Sequence, residues 1–332
     1  MSETLPPSSR PLRDVGTVPQ PAPAPATPSA LPTGPTPYHH FLRTPRSRWW
    51  RAALSIVLLV VAYLVINVAL GMALLLVSVL TGLDLMPMDG STMTMTPALF
   101  LVNNISLALL IPVSLGLQRL LHGQSGRWLH SVHGRFRWNL ALRLAAVLLP
   151  LWAVYAIGFT LFAPEMAGAG GAPATLVSTT VMLLITLLTT PLQAAGEEYA
   201  ARGILARSFA SFTSHPTAAL VLALVPANLL FMVAHGAGDW TLAVYYFGFG
   251  LACSLVTWRT GGVEAAVVLH AVNNTTLFAV AAFLTSEIVI DRSAGTGGPI
   301  MLVPLVVMAL ATAGIWLWSR RRGLATSADP TA

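Results

Sequence analysis

Two adjacent carboxylates, Glu197 and Glu198, stand in the stretch "LTTPLQAAGEEYAARGILAR" (188–207), directly downstream of an apolar run long enough to enter a bilayer. An ionisable side chain in hydrocarbon costs at least ~2.5 kcal/mol on insertion scales, so residues of this kind face a bundle interior and have a task. The helical period of about 3.6 residues separates the pair. Glu198 and Arg202 are four apart, share a face and neutralise one another locally. Glu197 is turned about 100° away, among Gln193, Ala194 and Ala201, with no basic residue one turn up or down. A carboxylate so placed needs a water, a metal or a histidine from another helix.

Two further apolar stretches supply histidines. His235 ends "FMVAH", one turn after Phe231, and His270 opens "HAVNN", with Asn273 and Asn274 at three and four residues further on. Singly, each is an ordinary interhelical hydrogen-bonding group, as are the other polar residues of the apolar runs: Glu264, Asn67, Asn103, Asn104 and Asn228. In combination they are the components for activating water, with Glu or His as general base and Asn or His as donor to an oxyanion. Glu197, His235 and His270 also make a feasible three-ligand set for one divalent metal such as zinc, with a fourth position open. No HExxH or GxSxG occurs. The single cysteine, Cys253, excludes an intrachain disulfide; its sequence neighbours are apolar, and we read it as inert packing.

The elements that must position these residues are helices in a membrane. Of the 332 residues 55% are hydrophobic and 9% charged, against roughly a quarter charged in a soluble domain. About eight apolar stretches of spanning length follow Trp50, near 52–80, 96–118, 138–162, 176–197, 217–236, 240–258, 263–285 and 300–318, and predict an all-α polytopic protein. The net charge of +6 does not point to nucleic acid, because all 18 basic residues are arginines scattered near helix ends. Every second connection is basic, beginning with Arg43, Arg46, Arg48 and Arg51 and ending with Arg320–Arg322, which predicts both termini in the cytoplasm. Arginine without lysine, beside abundant Ala, Gly and Pro, fits a GC-rich bacterium and its plasma membrane. Residues 1–45 are Pro-, Ala- and Ser-rich and predict a disordered cytoplasmic tail; 46–322 form the membrane domain, and 323–332 a short second tail. "GQSGRWLHSVHGRFRW" (123–138) is expected to lie on the inner membrane surface, with His130 and His133 in a wet, basic setting.

The motifs "EEYAAR" (197–202), "FMVAH" (231–235) and "HAVNN" (270–274), in that order and about one helix apart, resemble the CAAX protease and bacteriocin-processing family of intramembrane endopeptidases, also called the ABI family, which includes the Ras-converting CAAX prenyl proteases. The resemblance covers about 175–285. It implies that Glu197, with His270 or His235, activates the attacking water. It also implies that the remaining histidine and Asn274 stabilise the oxyanion, and that Glu198 and Arg202 hold the helix. The substrate implied is a peptide or membrane protein; metal-dependent and glutamate-dependent hydrolysis both stay open. Two other functions are compatible with the sequence: a non-catalytic immunity or scaffold protein of the same fold, and a proton-coupled transporter using Glu197 and the histidines as relay.

One spatial difficulty follows. A fourth span ending at 197 leaves Glu197 near one membrane face and His235 near the other. Bringing them together requires the fourth helix to continue through Arg202 and Leu205, with the fifth either starting after Pro216 or bent near Pro226.

Overall fold

In a computed structural model, residues 1, 28–89, 92–164, 172–290, 293 and 297–330 are described. Among these, eight helices are long and apolar enough to cross a membrane: α1 (Trp49–Thr81), α2 (Pro97–His122), α3 (Trp138–Phe162), α4 (Leu176–Ala210), α5 (Pro216–Ala234), α6 (Trp240–Thr260), α7 (Glu264–Leu284) and α8 (Pro299–Arg321). They lie where the hydropathy predicts them. The chain is an all-α integral membrane protein, and its outward faces are apolar, with Val65, Val154 and Leu310 among the many exposed aliphatic side chains.

Helices α4 and α7 form the central pair; α2 covers α4, α3 covers α7, and α6 packs between α5 and α8. Small residues permit the closest approach. A Cβ at Gly196 would collide with the Leu107 carbonyl of α2, so only glycine lets these two backbones meet. Nearby, Asn104 Nδ2 joins α2 to α4 by donating to Thr189 Oγ1 (2.9 Å) and Thr190 Oγ1 (3.1 Å).

The fourth helix is the long one that the spatial difficulty demands. Its α-helical part, Leu176–Glu198, is capped by Thr175 with Ser178 as reciprocal partner. It then passes into a π-helical turn, Tyr199–Leu205, and closes with Ala206–Ala210. The fifth helix begins at Pro216 and not after it, the missing N–H of proline being harmless at the first helical position. Pro226 lies inside it.

Two expectations about the surroundings of the bundle change. Of the tail expected over 1–45, residues 2–27 lie outside the described residues, but 28–45 are folded onto the bundle. Tyr38, Phe41 and Leu42 are each 1% exposed. Tyr38 Oη donates to the Leu129 carbonyl (2.6 Å), and Gln124 Nε2 to that of Phe41 (2.9 Å). Strand β1 (Thr36–Pro37) pairs antiparallel with β5 (Ser327–Ala328), so part of the second expected tail is structured too. Three apolar or aromatic side chains within five residues outweigh the surrounding prolines, because their burial offsets the ordering entropy. The segment 126–138 is likewise tucked into the end of the bundle: Leu129 and Ser131 are fully buried, and Ser131 bridges Gly262. On the other side, β2 (Met88–Asp89), β3 (Thr92–Met95) and β4 (Ile288–Ile290) make a small antiparallel sheet.

Candidate functional site

The fourth helix delivers Glu198 and Arg202 into the core, 0% and 2% exposed. Arg202 Nη1 donates to Glu198 Oε1 at 3.0 Å, the predicted four-residue pairing. Its remaining donors are spent on the walls: Nη2 on the Gly250 carbonyl (2.6 Å) and Asn228 Oδ1 (3.2 Å), Nε on Ser254 Oγ (3.3 Å). The guanidinium also lies 4.9 Å from the centroid of the Phe231 ring. A π-turn at this point, like others inside α-helices, coincides with a polar site.

The seventh helix brings His270 onto the same carboxylate, with Nδ1 2.7 Å from Glu198 Oε1. The sequence pairs Glu198 with Arg202 alone; the structure makes it the partner of His270 as well. A neutral His270 that donates from Nδ1 to a carboxylate presents Nε2 as its proton acceptor. Glu198 Oε2 is buried without a hydrogen-bond partner, and the Cys253 thiol lies against that carboxylate. Apolar sequence neighbours therefore misdescribe the surroundings of Cys253, although an adjacent carboxylate still leaves the thiol unreactive.

Glu197, partly exposed, points elsewhere. It accepts from Gln193 Nε2. Asn274 Nδ2 donates to Gln193 Oε1 (3.3 Å), Asn273 Nδ2 to Asn274 Oδ1 (3.0 Å), and the Trp152 indole N–H of α3 to Asn273 Oδ1 (3.0 Å). A continuous hydrogen-bonded row thus runs from a buried tryptophan to the half-exposed Glu197.

His235 caps the end of α5. Its Nδ1 donates to the Phe231 carbonyl (2.8 Å), and its ring stacks on Tyr246 at 4.1 Å between centroids. Phe231 touches both histidines, 4.5 Å from His235 and 6.2 Å from His270. One aromatic ring thus separates the two histidines, and the long fourth helix sets Glu198 against His270. Glu197, His235 and His270 do not converge as metal ligands, and among the described residues no three His, Cys, Asp or Glu side chains do.

The remaining polar candidates are structural in their contacts. Glu264, fully buried at the start of α7, holds Arg137 through two side-chain hydrogen bonds (2.9 and 2.7 Å) and accepts from the Arg137 backbone N–H. Asn228 braces Arg202, Asn104 joins α2 to α4, and Asn67 accepts from Ser106 (3.2 Å). His130 hydrogen-bonds the Tyr199 hydroxyl, and burial pushes its imidazole below the usual histidine range; the expected wet setting is a half-buried one. Trp152, Ser254 and Gly250 carry no signal in the sequence, because a tryptophan, serine or glycine in an apolar run reads as packing.

Comparison with known proteins gives one match. Residues 176–276 fit the model of the family described as type II CAAX prenyl endopeptidase Rce1-like. No curated protein and no solved structure matches the chain. The matched residues run from the start of α4 into α7 and contain all three motifs, so across 176–276 the chain is similar to the Rce1-like CAAX protease family.

Proposed function

We propose that this protein is an intramembrane endopeptidase that hydrolyses a peptide bond with water activated by Glu197 and His270. The observation that supports it is the 2.7 Å contact of His270 with Glu198, which joins the first and third motifs around a buried ion pair while leaving Glu197 half-exposed beside it. Glu197 is held by one neutral amide and has no ion-pair partner among the described residues, as suits a base that must take a proton. Glu198, charge-balanced by Arg202, fixes the His270 tautomer and favours the imidazolium formed when Nε2 accepts a proton.

In this reading the water loses its proton to Glu197 or His270 as its oxygen attacks the scissile carbonyl carbon. The second N–H of Asn274 Nδ2 donates to the developing oxyanion, with protonated His235 as the other donor. The held proton then passes to the leaving amine. Among the described residues no three His, Cys, Asp or Glu side chains gather as a metal site, and no step here uses a metal. The substrate is a peptide or membrane protein that reaches the bundle from the bilayer; the basic connections favour cytoplasmic termini, and arginine without lysine favours a bacterial plasma membrane.

Purified protein in liposomes, assayed against a peptide library by mass spectrometry, tests this. Glu197→Gln and His270→Ala should each lower cleavage by about 10²-fold or more while thermal unfolding stays cooperative. Cleavage at wild-type rate in both variants would refute it.

A further inference from the structure

The row from Trp152 to Glu197 has a direction. An indole N–H can only donate and an ionised carboxylate can only accept, so the two ends admit one orientation of every amide between them. Trp152 donates to Asn273 Oδ1, which turns Asn273 Nδ2 toward Asn274 Oδ1. Asn274 Nδ2 is thereby turned toward Gln193, whose own Nε2 faces Glu197. Reversing any one amide would set donor against donor or acceptor against acceptor at both of its contacts. The tryptophan end is rigid: Trp152 is 1% exposed and packed in the main apolar core with Ala266 and Leu269 of α7. The asparagine beside it, Asn273, is 3% exposed.

We propose that Trp152 is a positioning residue: acting through Asn273, it holds the Asn274 amide with its NH2 group toward the reacting carbonyl and, through Gln193, fixes the Glu197 carboxylate. This rests on the catalytic roles given above to Asn274 and Glu197. It assigns a part in the reaction to α3, a helix outside residues 176–276. Without the indole donor the row is held from the carboxylate end alone, so when Glu197 takes up a proton nothing keeps the Asn273 and Asn274 amides from inverting together and offering an oxygen to the oxyanion.

The test uses Trp152→Phe, which keeps an aromatic ring and removes the donor, and Asn273→Asp, which can still accept from the indole but, when ionised, cannot donate to Asn274. Two readouts are needed. In peptide cleavage, both variants should lose about 10- to 100-fold in kcat with KM changed less than about twofold, since substrate contacts away from the carbonyl are untouched. In NMR of protein labelled with 15N at asparagine side chains, the Asn274 NH2 resonances should move in both variants and broaden as the amide samples two orientations. This second readout needs no activity, so it tests the relay even if Glu197→Gln cleaves normally and the catalytic reading fails. Wild-type kcat in Trp152→Phe, or unmoved Asn274 resonances in both variants, would overturn the proposal. If Trp152→Phe does not fold, an Asn274 shift in Asn273→Asp, with the Trp152 indole N–H still protected from exchange by its hydrogen bond, supports it, and no shift overturns it.

Discussion

Arg202→Met is the most informative single change to the stability of this bundle. The methionine fills much of the same space but removes a cation that makes four hydrogen bonds, to Glu198, Asn228, Ser254 and the Gly250 carbonyl. Asn228 keeps a partner in Ser254, and Glu198 keeps His270. The Gly250 carbonyl, inside α6, keeps its helical hydrogen bond, so what is stranded is the negative charge of Glu198. Removing one partner of a buried pair costs about 3–5 kcal/mol, most of it from the uncompensated charge. The double variant Glu198→Gln/Arg202→Met has no charge to strand and should recover about half of that loss or more, because neutral replacement of a buried pair is often tolerated. The assay is reversible unfolding in mixed micelles, run as a double-mutant cycle with both singles. Destabilisation below about 1 kcal/mol in Arg202→Met, or a double variant less stable than both singles, would refute the view that Arg202 exists to balance Glu198.

Gly196→Ala should destabilise by about 1–3 kcal/mol, since its methyl group meets the Leu107 backbone rather than a side chain able to turn aside; equal unfolding midpoints would show that α2 shifts freely. The folded segment 36–42 should loosen in acid. Burial, then the neighbouring His40, lowers the His39 imidazole from the usual range to about 4. A histidine depressed in the folded state contributes nothing to pH dependence above its unfolded value of about 6.5. As pH falls from there toward 4, the unfolded state takes up the proton first and stability is lost. Protection of residues 36–42 against hydrogen exchange, relative to the intrinsic rate at each pH, should therefore fall between pH 6.5 and 4, and His39→Phe should flatten that dependence.

The spans were legible because a bilayer demands about 20 apolar residues wherever the chain crosses, and the Glu198–Arg202 pair was legible because it is local. The partner of His270 was not. Glu197 and Glu198 differ only by a rotation of about 100°, and which of them faces α7 depends on how α4 is packed, through Gly196 against α2 and through the π-turn below. The row from Trp152 needed the same tertiary knowledge, since its members come from α3, α4 and α7. The folded segment after residue 28 escaped for another reason. Averaging over a Pro-rich window hides Tyr38, Phe41 and Leu42, whose spacing puts three large side chains on one short 3-10 turn and its exit.

The pairing of β1 with β5 fixes a parity. Thr36 precedes the first span and Ala328 follows the last, and two strands that share hydrogen bonds must lie on one side of the bilayer. The number of crossings between them must then be even, a requirement that eight spans meet without any appeal to charge. The same pairing imposes an order on biogenesis. Residues 36–37 leave the ribosome before these eight spans, yet their partner strand emerges only after them, so the clasp can close only once all eight have been made, and its closure reports that they have crossed.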